Sequence, residues 1–336
     1  MKKVAAKPAG PLKVHHTDDG LHLSDSILWL DSSANGELSF LSSAALNTAF
    51  KAQQVIATEE TLKILEIKKQ KKPNALVCQY NRPFSIGKLK MELLPSGSVL
   101  GGASLYLESD KGRILYAPHL QTQKVSTVRQ MQLKKAHTLI VGAYHADPST
   151  PLPNRKKEKE RLLNTVRNFV NQDQYPVIVC QSIATAQEIT KCMADENIPL
   201  AVHSTIFKIN KIYEAYGSQL GPYSLYSAKY TKKKVLLFPF AEKGGGKLRS
   251  PLPEGPVLYV EDTLAPSSDP TAFREVNDRF FISSTCDGKD LREVISAVAP
   301  KEVYFFGPYA KRFSEEFKNS CKIVRPLYSN DQPTLF

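Results

Sequence analysis

Apolar positions fall in short, strand-length groups through the first 140 residues. Residues 20–23, 27–31 and 38–41 read as strands, with 32–36 as a turn in which Asn35-Gly36 is hairpin punctuation. Residues 40–48 then follow a strand and open a helix-like run, and 55–57 is a further small strand. Thr58 can cap a helix over 59–65, whose first turn carries Glu59 and Glu60, as the helix dipole prefers. Residues 88–94, 104–108 and 113–117 have strand composition, broken by a glycine-rich loop at 95–103. The unbroken apolar run 138–142 predicts a buried strand.

The pattern changes after a Pro/Ser/Thr linker at 147–153. Residues 156–171 are helical, with Leu162, Leu163, Val166 and Phe169 on one face. Strands at 177–180, 200–203, 234–238 and 257–260 and helices at 184–194 and 206–216 follow, the alternation of a parallel α/β unit. A second Pro/Ser stretch at 265–270 marks a return to the first unit. There, 280–282 and 302–306 are strands, and 289–298 and 310–318 are helices. The expected division is a disordered basic leader at 1–16, a first domain from 17–148 with 275–327, an inserted domain at 149–274, and a flexible tail at 328–336.

The 336 residues suffice for two domains. No apolar run approaches ~18 residues, so no transmembrane helix is expected, and the leader lacks a signal-peptide apolar core. Five scattered cysteines without a C-x-x-C suit reduced thiols in the cytoplasm and argue against a zinc cluster. The glycine loop lacks the Lys-Ser/Thr ending of a phosphate-binding loop. A net charge of +12 includes basic bunches at 68–72, 155–161 and 232–234. That balance favours a polyanion partner, with a solvated surface as the alternative.

Several stretches together resemble a known family. They are Gly20-Leu21-His22-Leu23 with Leu28-Trp29-Leu30-Asp31, residues 55–61, the loop 94–103 against L-P-A-G-H-x-L-G-S-A, Val202-His203-Ser204-Thr205-Ile206 against V-H-G-x-I, and Pro300-Lys301-Glu302-Val303-Tyr304. In this order they resemble the metallo-β-lactamase fold with a β-CASP-type insertion. More narrowly, the chain is similar to bacterial exonucleases associated with DNA ligases, and to their relatives in mRNA 3′-end processing and crosslink repair. The resemblance implies an α/β fold, a four-layer αββα sandwich carrying an inserted β-CASP-like α/β domain.

The family holds zinc or manganese with His and Asp. The resemblance assigns those ligand positions here to Ser43, Ala45, Asn47, Thr48, Ser98, His119, Gly142, Ser284, Thr285 and Gly307. Side chains of this kind do not assemble a divalent-ion site. The expectation is therefore a degenerate nuclease with no catalytic residue, metal or cofactor of its own. Its nucleic-acid contacts, DNA ahead of RNA, are expected at Lys156, Lys157, Arg161, Lys232, Lys233, Lys234 and His203. The ending Gln332-Pro333-Thr334-Leu335-Phe336 resembles the bacterial sliding-clamp peptide Q-x-x-L-F, so Gln332, Leu335 and Phe336 are expected to recruit the protein to a clamp in replication or repair. Two other readings stand beside this one. One is an active hydrolase with a metal site rewired around His119, His145 and His203. The other is a scaffold pairing with an active paralogue. Cys286 beside the former catalytic loop is a candidate nucleophile, or a small buried residue.

Overall fold

The computed structural model describes residues 14–46, 51–69, 73–110, 112–145, 147–181, 183–229, 231–240, 252–262 and 276–327. They form a mixed α/β protein built on three sheets. The first sheet runs in chain order: β1 (Val14–Thr17), β2 (Gly20–Leu23), β3 (Leu28–Leu30), β4 (Leu38–Phe40), β5 (Gln54–Ala57) and β6 (Ala75–Val77). Helix α1 (Glu59–Lys69) leaves β5 where Thr58 Oγ1 accepts the Thr61 N–H at 3.2 Å. The second sheet begins as an antiparallel meander of β7 (Phe84–Ile86), β8 (Leu89–Pro95), β9 (Ala103–Ser109) and β10 (Gly112–Ala117). Strand β11 (Thr138–Gly142) then pairs parallel with β10.

The chain next builds a third sheet with its own helices. In chain order these elements are α2 (Arg155–Asn171), β12 (Val177–Cys180), α3 (Thr185–Asp195), β13 (Leu200–Val202), α4 (Ser204–Ala215), β14 (Ser224–Leu225), β15 (Val235–Pro239), β16 (Val257–Glu261) and β17 (Asp278–Phe281). All the strands are parallel, in the order β14-β13-β15-β12-β16-β17. The chain then returns to the second sheet with α5 (Gly288–Val298), β18 (Glu302–Phe306), α6 (Ala310–Glu316) and β19 (Ile323–Pro326). There β18 lies against β11, and β19 against β18.

Side-chain alternation sets the layers. On β10, Ile114 and Tyr116 face the first sheet, while Leu115 and Ala117 face α5 and α6. On β5, Ile56 points to the second sheet, and Val55 and Ala57 point to α1. The order through this part is therefore α1, first sheet, second sheet, then α5 with α6. Period-two alternation can satisfy that order only if both sheets have two buried faces. Phe305, Phe313 and Phe317 fill the α6 side with ring centroids 5.4–6.1 Å apart. The third sheet packs α2 and α3 on one face, through Leu162, Val166, Ile189 and Met193. Helix α4 bridges outward: its Ile209 and Tyr213 join the cluster of α1 and the glycine loop.

Four expectations change. Val14–Thr17, placed in a disordered leader, is a strand paired with β2, and His16 Nδ1 lies 3.0 Å from the Leu327 carbonyl oxygen. Its Val-His-His-Thr sequence gives no apolar alternation to read. Asn35-Gly36 does not close a hairpin, because β3 and β4 are parallel. Gly36 instead lies under the Trp29 ring, where a Cβ would approach within 2.7 Å. Residues 41–46 are a buried turn without helix. Strand β17, expected in the first unit, pairs with β16, so the return falls at Ile282. The strands β6, β7, β14 and β19 are too short to show a periodic pattern of their own. Residues 47, 48 and 328–336, including the expected Asn47, Thr48, Gln332, Leu335 and Phe336, lie outside the described residues.

Candidate functional site

The positions named from the resemblance lie mostly in loops at the ends of parallel strands, where α/β sheets gather function. The first loop follows β4. Its Ser42 N–H donates to Asp31 Oδ1 at 2.7 Å, and Tyr116 Oη donates to Asp31 Oδ2 at 2.8 Å. Burial pushes the Asp31 carboxyl up to about 6, against the opposing effect of those two bonds. Ser43 Oγ accepts the Ala45 N–H at 3.0 Å, so the Ser43 hydroxyl serves its own turn.

The glycine loop between β8 and β9 is fixed by its neighbours. Gly101 has φ +78°, and a Cβ there would lie 2.5 Å from the Thr61 nitrogen. Its carbonyl accepts both the Thr58 and Thr61 hydroxyls, at 2.8 and 2.9 Å. Ser98 Oγ is buried 3.0 Å from Ser96 Oγ. The Leu100 N–H donates to Tyr213 Oη at 3.1 Å, tying the loop to α4.

Beyond β10 and β11 lies an aromatic cluster. His119 is 2% exposed and stacks on Tyr144 with centroids 4.8 Å apart. Among the described residues neither ring nitrogen of His119 has a hydrogen-bond partner, and burial depresses its pKa to about 3, which keeps it neutral. Tyr144 also meets Phe306 edge-on at 6.3 Å. The same ring closes two further positions. A Cβ on Gly142 would fall 2.2 Å from Tyr144 Cε2 and 2.4 Å from the Pro118 carbonyl oxygen. Gly307, at φ +99°, faces the other edge of the ring, with its notional Cβ 3.4 Å from Cε1.

The loop after β17 is knitted internally. Ser284 N–H and Oγ both donate to Asp262 Oδ1, at 3.0 and 2.9 Å, and Thr185 Oγ1 donates to Asp262 Oδ2 at 2.8 Å. The Thr285 N–H donates to Ser283 Oγ at 3.0 Å, and Gln121 Nε2 donates to the Ser283 carbonyl at 3.2 Å. Asp287 caps α5 by accepting the Asp290 N–H at 2.8 Å. Burial pushes the Cys286 thiol well up, which argues for a packed residue over a nucleophile.

The Ser43 hydroxyl is committed to its own turn, that of Ser98 to Ser96 and that of Ser284 to Asp262, and an aromatic ring fills the space at Gly142. Among the described residues no group of three or more His, Cys, Asp or Glu is placed to hold a metal. His145 Nε2 lies 3.1 Å from the Thr150 carbonyl oxygen, and His203 caps α4, accepting the Thr205 N–H at 3.2 Å. Each therefore has a local structural task.

The basic residues divide. Lys156 is 85% exposed at its side chain, with Glu160 3.9 Å away, and Lys157 and Lys232 are exposed. Arg161 is committed: it grips Asp278 at 2.9 and 3.0 Å, bonds Glu158 and lies 4.0 Å over the Phe280 ring. Lys233 pairs with Asp173 at 3.1 Å, and Lys234 Nζ donates to Ser224 Oγ at 3.0 Å. Asp173 follows the C-terminal end of α2, while Lys156 and Lys157 sit in its first turn. A 17-residue helix, about 25 Å, therefore separates the two bunches. Sequence reasoning singled out neither Tyr144 nor Asp31 as a site residue. Asp31 had a signal, an acid ending an apolar strand before a serine run; Tyr144 had none.

No family model matches the chain. It is 21% identical over 307 residues to a protein named probable DNA ligase from Opitutus terrae, a match covering 89% of this chain but 29% of that one. It is 22% identical over 143 residues to an RNase J-like protein from Methanocaldococcus jannaschii, covering 40% of this chain and 34% of the other. The chain thus spans less than a third of the ligase it matches. Both names are those of nucleic-acid enzymes. Among the described residues no helix is long and apolar enough to cross a membrane.

Proposed function

We propose that the chain is a catalytically degenerate protein of metallo-β-lactamase/β-CASP type that binds nucleic acid, DNA ahead of RNA, as a cytoplasmic accessory factor in replication or repair. The observation that carries this reading is the Tyr144 ring against Gly142, Gly307 and His119, where the resemblance calls for metal ligands. The helix–sheet–sheet–helix order, the inserted parallel sheet and the two distant relatives support the same reading. The finer part of the proposal is recruitment by a sliding clamp through Gln332, Leu335 and Phe336.

The test pairs a nuclease assay, on labelled single and double strands with Mn²⁺ or Zn²⁺, with a binding titration at several salt concentrations. No cleavage is expected, and binding that weakens as salt rises. Replacing both Lys156 and Lys157 by alanine should make the salt slope shallower by roughly 1.4 on a single strand, about 0.7 for each phosphate no longer neutralised. Metal-dependent cleavage abolished by His119→Ala would overturn the degenerate reading in favour of a rewired site.

A further inference from the structure

A cavity of about 190 Å³ lies where the glycine loop and α1 meet the end of α4. Its walls include Glu60, Tyr80, Val99, Thr127, Arg129 and Tyr216, so both the first sheet's helix and the inserted unit contribute. The volume is below the ~300–1,000 Å³ of ordinary ligand pockets and suits one ring system better than a whole nucleotide. Three polar groups in the wall have unused capacity. Thr127 is 2% exposed, and its Oγ1 has no hydrogen-bond partner among the described residues. The Arg129 guanidinium lies 5.5 Å from the centroid of the Tyr80 ring and forms no ion pair among the described residues. Glu60, in the first turn of α1, likewise accepts no hydrogen bond among them. Its charge is felt locally: burial first, and Glu60 next, push the Tyr80 hydroxyl pKa well up. Tyr80 therefore stays a phenol, donating to the Gly102 carbonyl at 2.9 Å. The inserted unit is pinned to this wall by Ser218 Oγ, which donates to the Thr127 carbonyl at 2.7 Å.

We propose that this cavity seats one unpaired base of a single strand, and that Glu60 makes guanine the preferred base. The inference deepens the nucleic-acid reading above and rests on it. Unpaired bases are held by aromatic rings and guanidinium groups, and Tyr80, Tyr216 and Arg129 line the cavity. A carboxylate then selects by edge. Guanine presents N1–H and N2–H side by side, two donors for the two oxygens of Glu60. Thymine flanks its one N–H with carbonyl oxygens, which repel a carboxylate. Thr127 Oγ1 can donate to a base acceptor or accept from a base amine.

Saturation-transfer NMR with guanosine and with thymidine, on the full chain and on Glu60→Gln, tests the pocket without phosphates. In parallel, fluorescence anisotropy of a labelled single strand tests the wider reading. Guanosine should show transfer and thymidine none, and the guanosine signal should drop at least fivefold in Glu60→Gln. Equal signals from both nucleosides, or a guanosine signal that survives Glu60→Gln, would overturn the pocket whatever the strand does. Guanosine binding that depends on Glu60, with no strand binding at low salt, would sink the nucleic-acid-binding role and overturn the cavity as a strand's base site, leaving it a site for a free nucleoside.

Discussion

Two residues carry most of the physics of the candidate site. Burial holds the Asp31 carboxyl at about 6, against an ordinary 3.8, so the native protein keeps this proton more tightly than the unfolded chain. Its stabilising effect is complete below about pH 4 and is lost as pH rises through 6, of order 2–3 kcal/mol. In Asp31→Asn, urea midpoints measured from pH 4 to 7 should lose that downward slope; an unchanged slope would exclude Asp31 as its source. Gly142 is the second case. The Tyr144 ring and the Pro118 carbonyl leave no room for a Cβ, so Gly142→Ala should cost roughly 2–3 kcal/mol by overpacking, read by chemical denaturation. In a Tyr144→Ala background, itself destabilised by the lost ring, the further cost of Gly142→Ala should be smaller but not zero, because the Pro118 oxygen is backbone and stays. The sequence could name Gly142 as a changed position, but a ring two residues away filling its place is a tertiary fact, invisible to motif spacing.

At the scale of elements, the cap of α5 joins parts that are distant in sequence. Asp287 Oδ1 accepts the Asp290 N–H at 2.8 Å, while Oδ2 accepts the Leu152 N–H at 3.3 Å. One carboxylate thus starts a helix and anchors the linker leading to α2. Asp287→Ala should cost about 1–2 kcal/mol, the usual effect of losing an N-cap, and should speed proteolysis near residues 147–153. A thermal shift without new cleavage there would leave capping intact as the role and remove the tether. Elements with strong periodicity were legible: β10, β11, α2, α3 and α5 lie within a residue or two of where their apolar positions put them. Those that failed share a cause. Strands β1, β6, β14 and β19 are edge strands, defined by partners rather than by their own side chains. Parallel pairing of β3 with β4 likewise depends on packing that the Asn35-Gly36 signal does not encode. The basic bunches were legible as composition, but not which members were free, since Arg161 and Lys233 are spent on Asp278 and Asp173.

For the whole molecule, the question is what delivers a +12 protein to its site of action. Charge alone gives attraction to any polyanion, with an affinity set by salt and little choice of address. The exposed Lys156 and Lys157 also lie about a helix length from Lys232, which suits grazing contact along a strand better than a tight local grip. An address must then come from a second contact, and linking two weak contacts multiplies their effect without new chemistry at either. The Gln332, Leu335 and Phe336 ending is the proposed second contact. Calorimetric titration of a bacterial sliding clamp with the full chain, and with a chain lacking residues 332–336, separates the two. Binding by the full chain alone would make the tail the address and the basic surface its sequence-blind partner. Binding by both forms would move the clamp contact into the folded part and remove the tail from the proposal. If neither binds, recruitment by the clamp falls. The filled site around Tyr144 would then fit a scaffold for an active nuclease as well as it fits a DNA-binding factor.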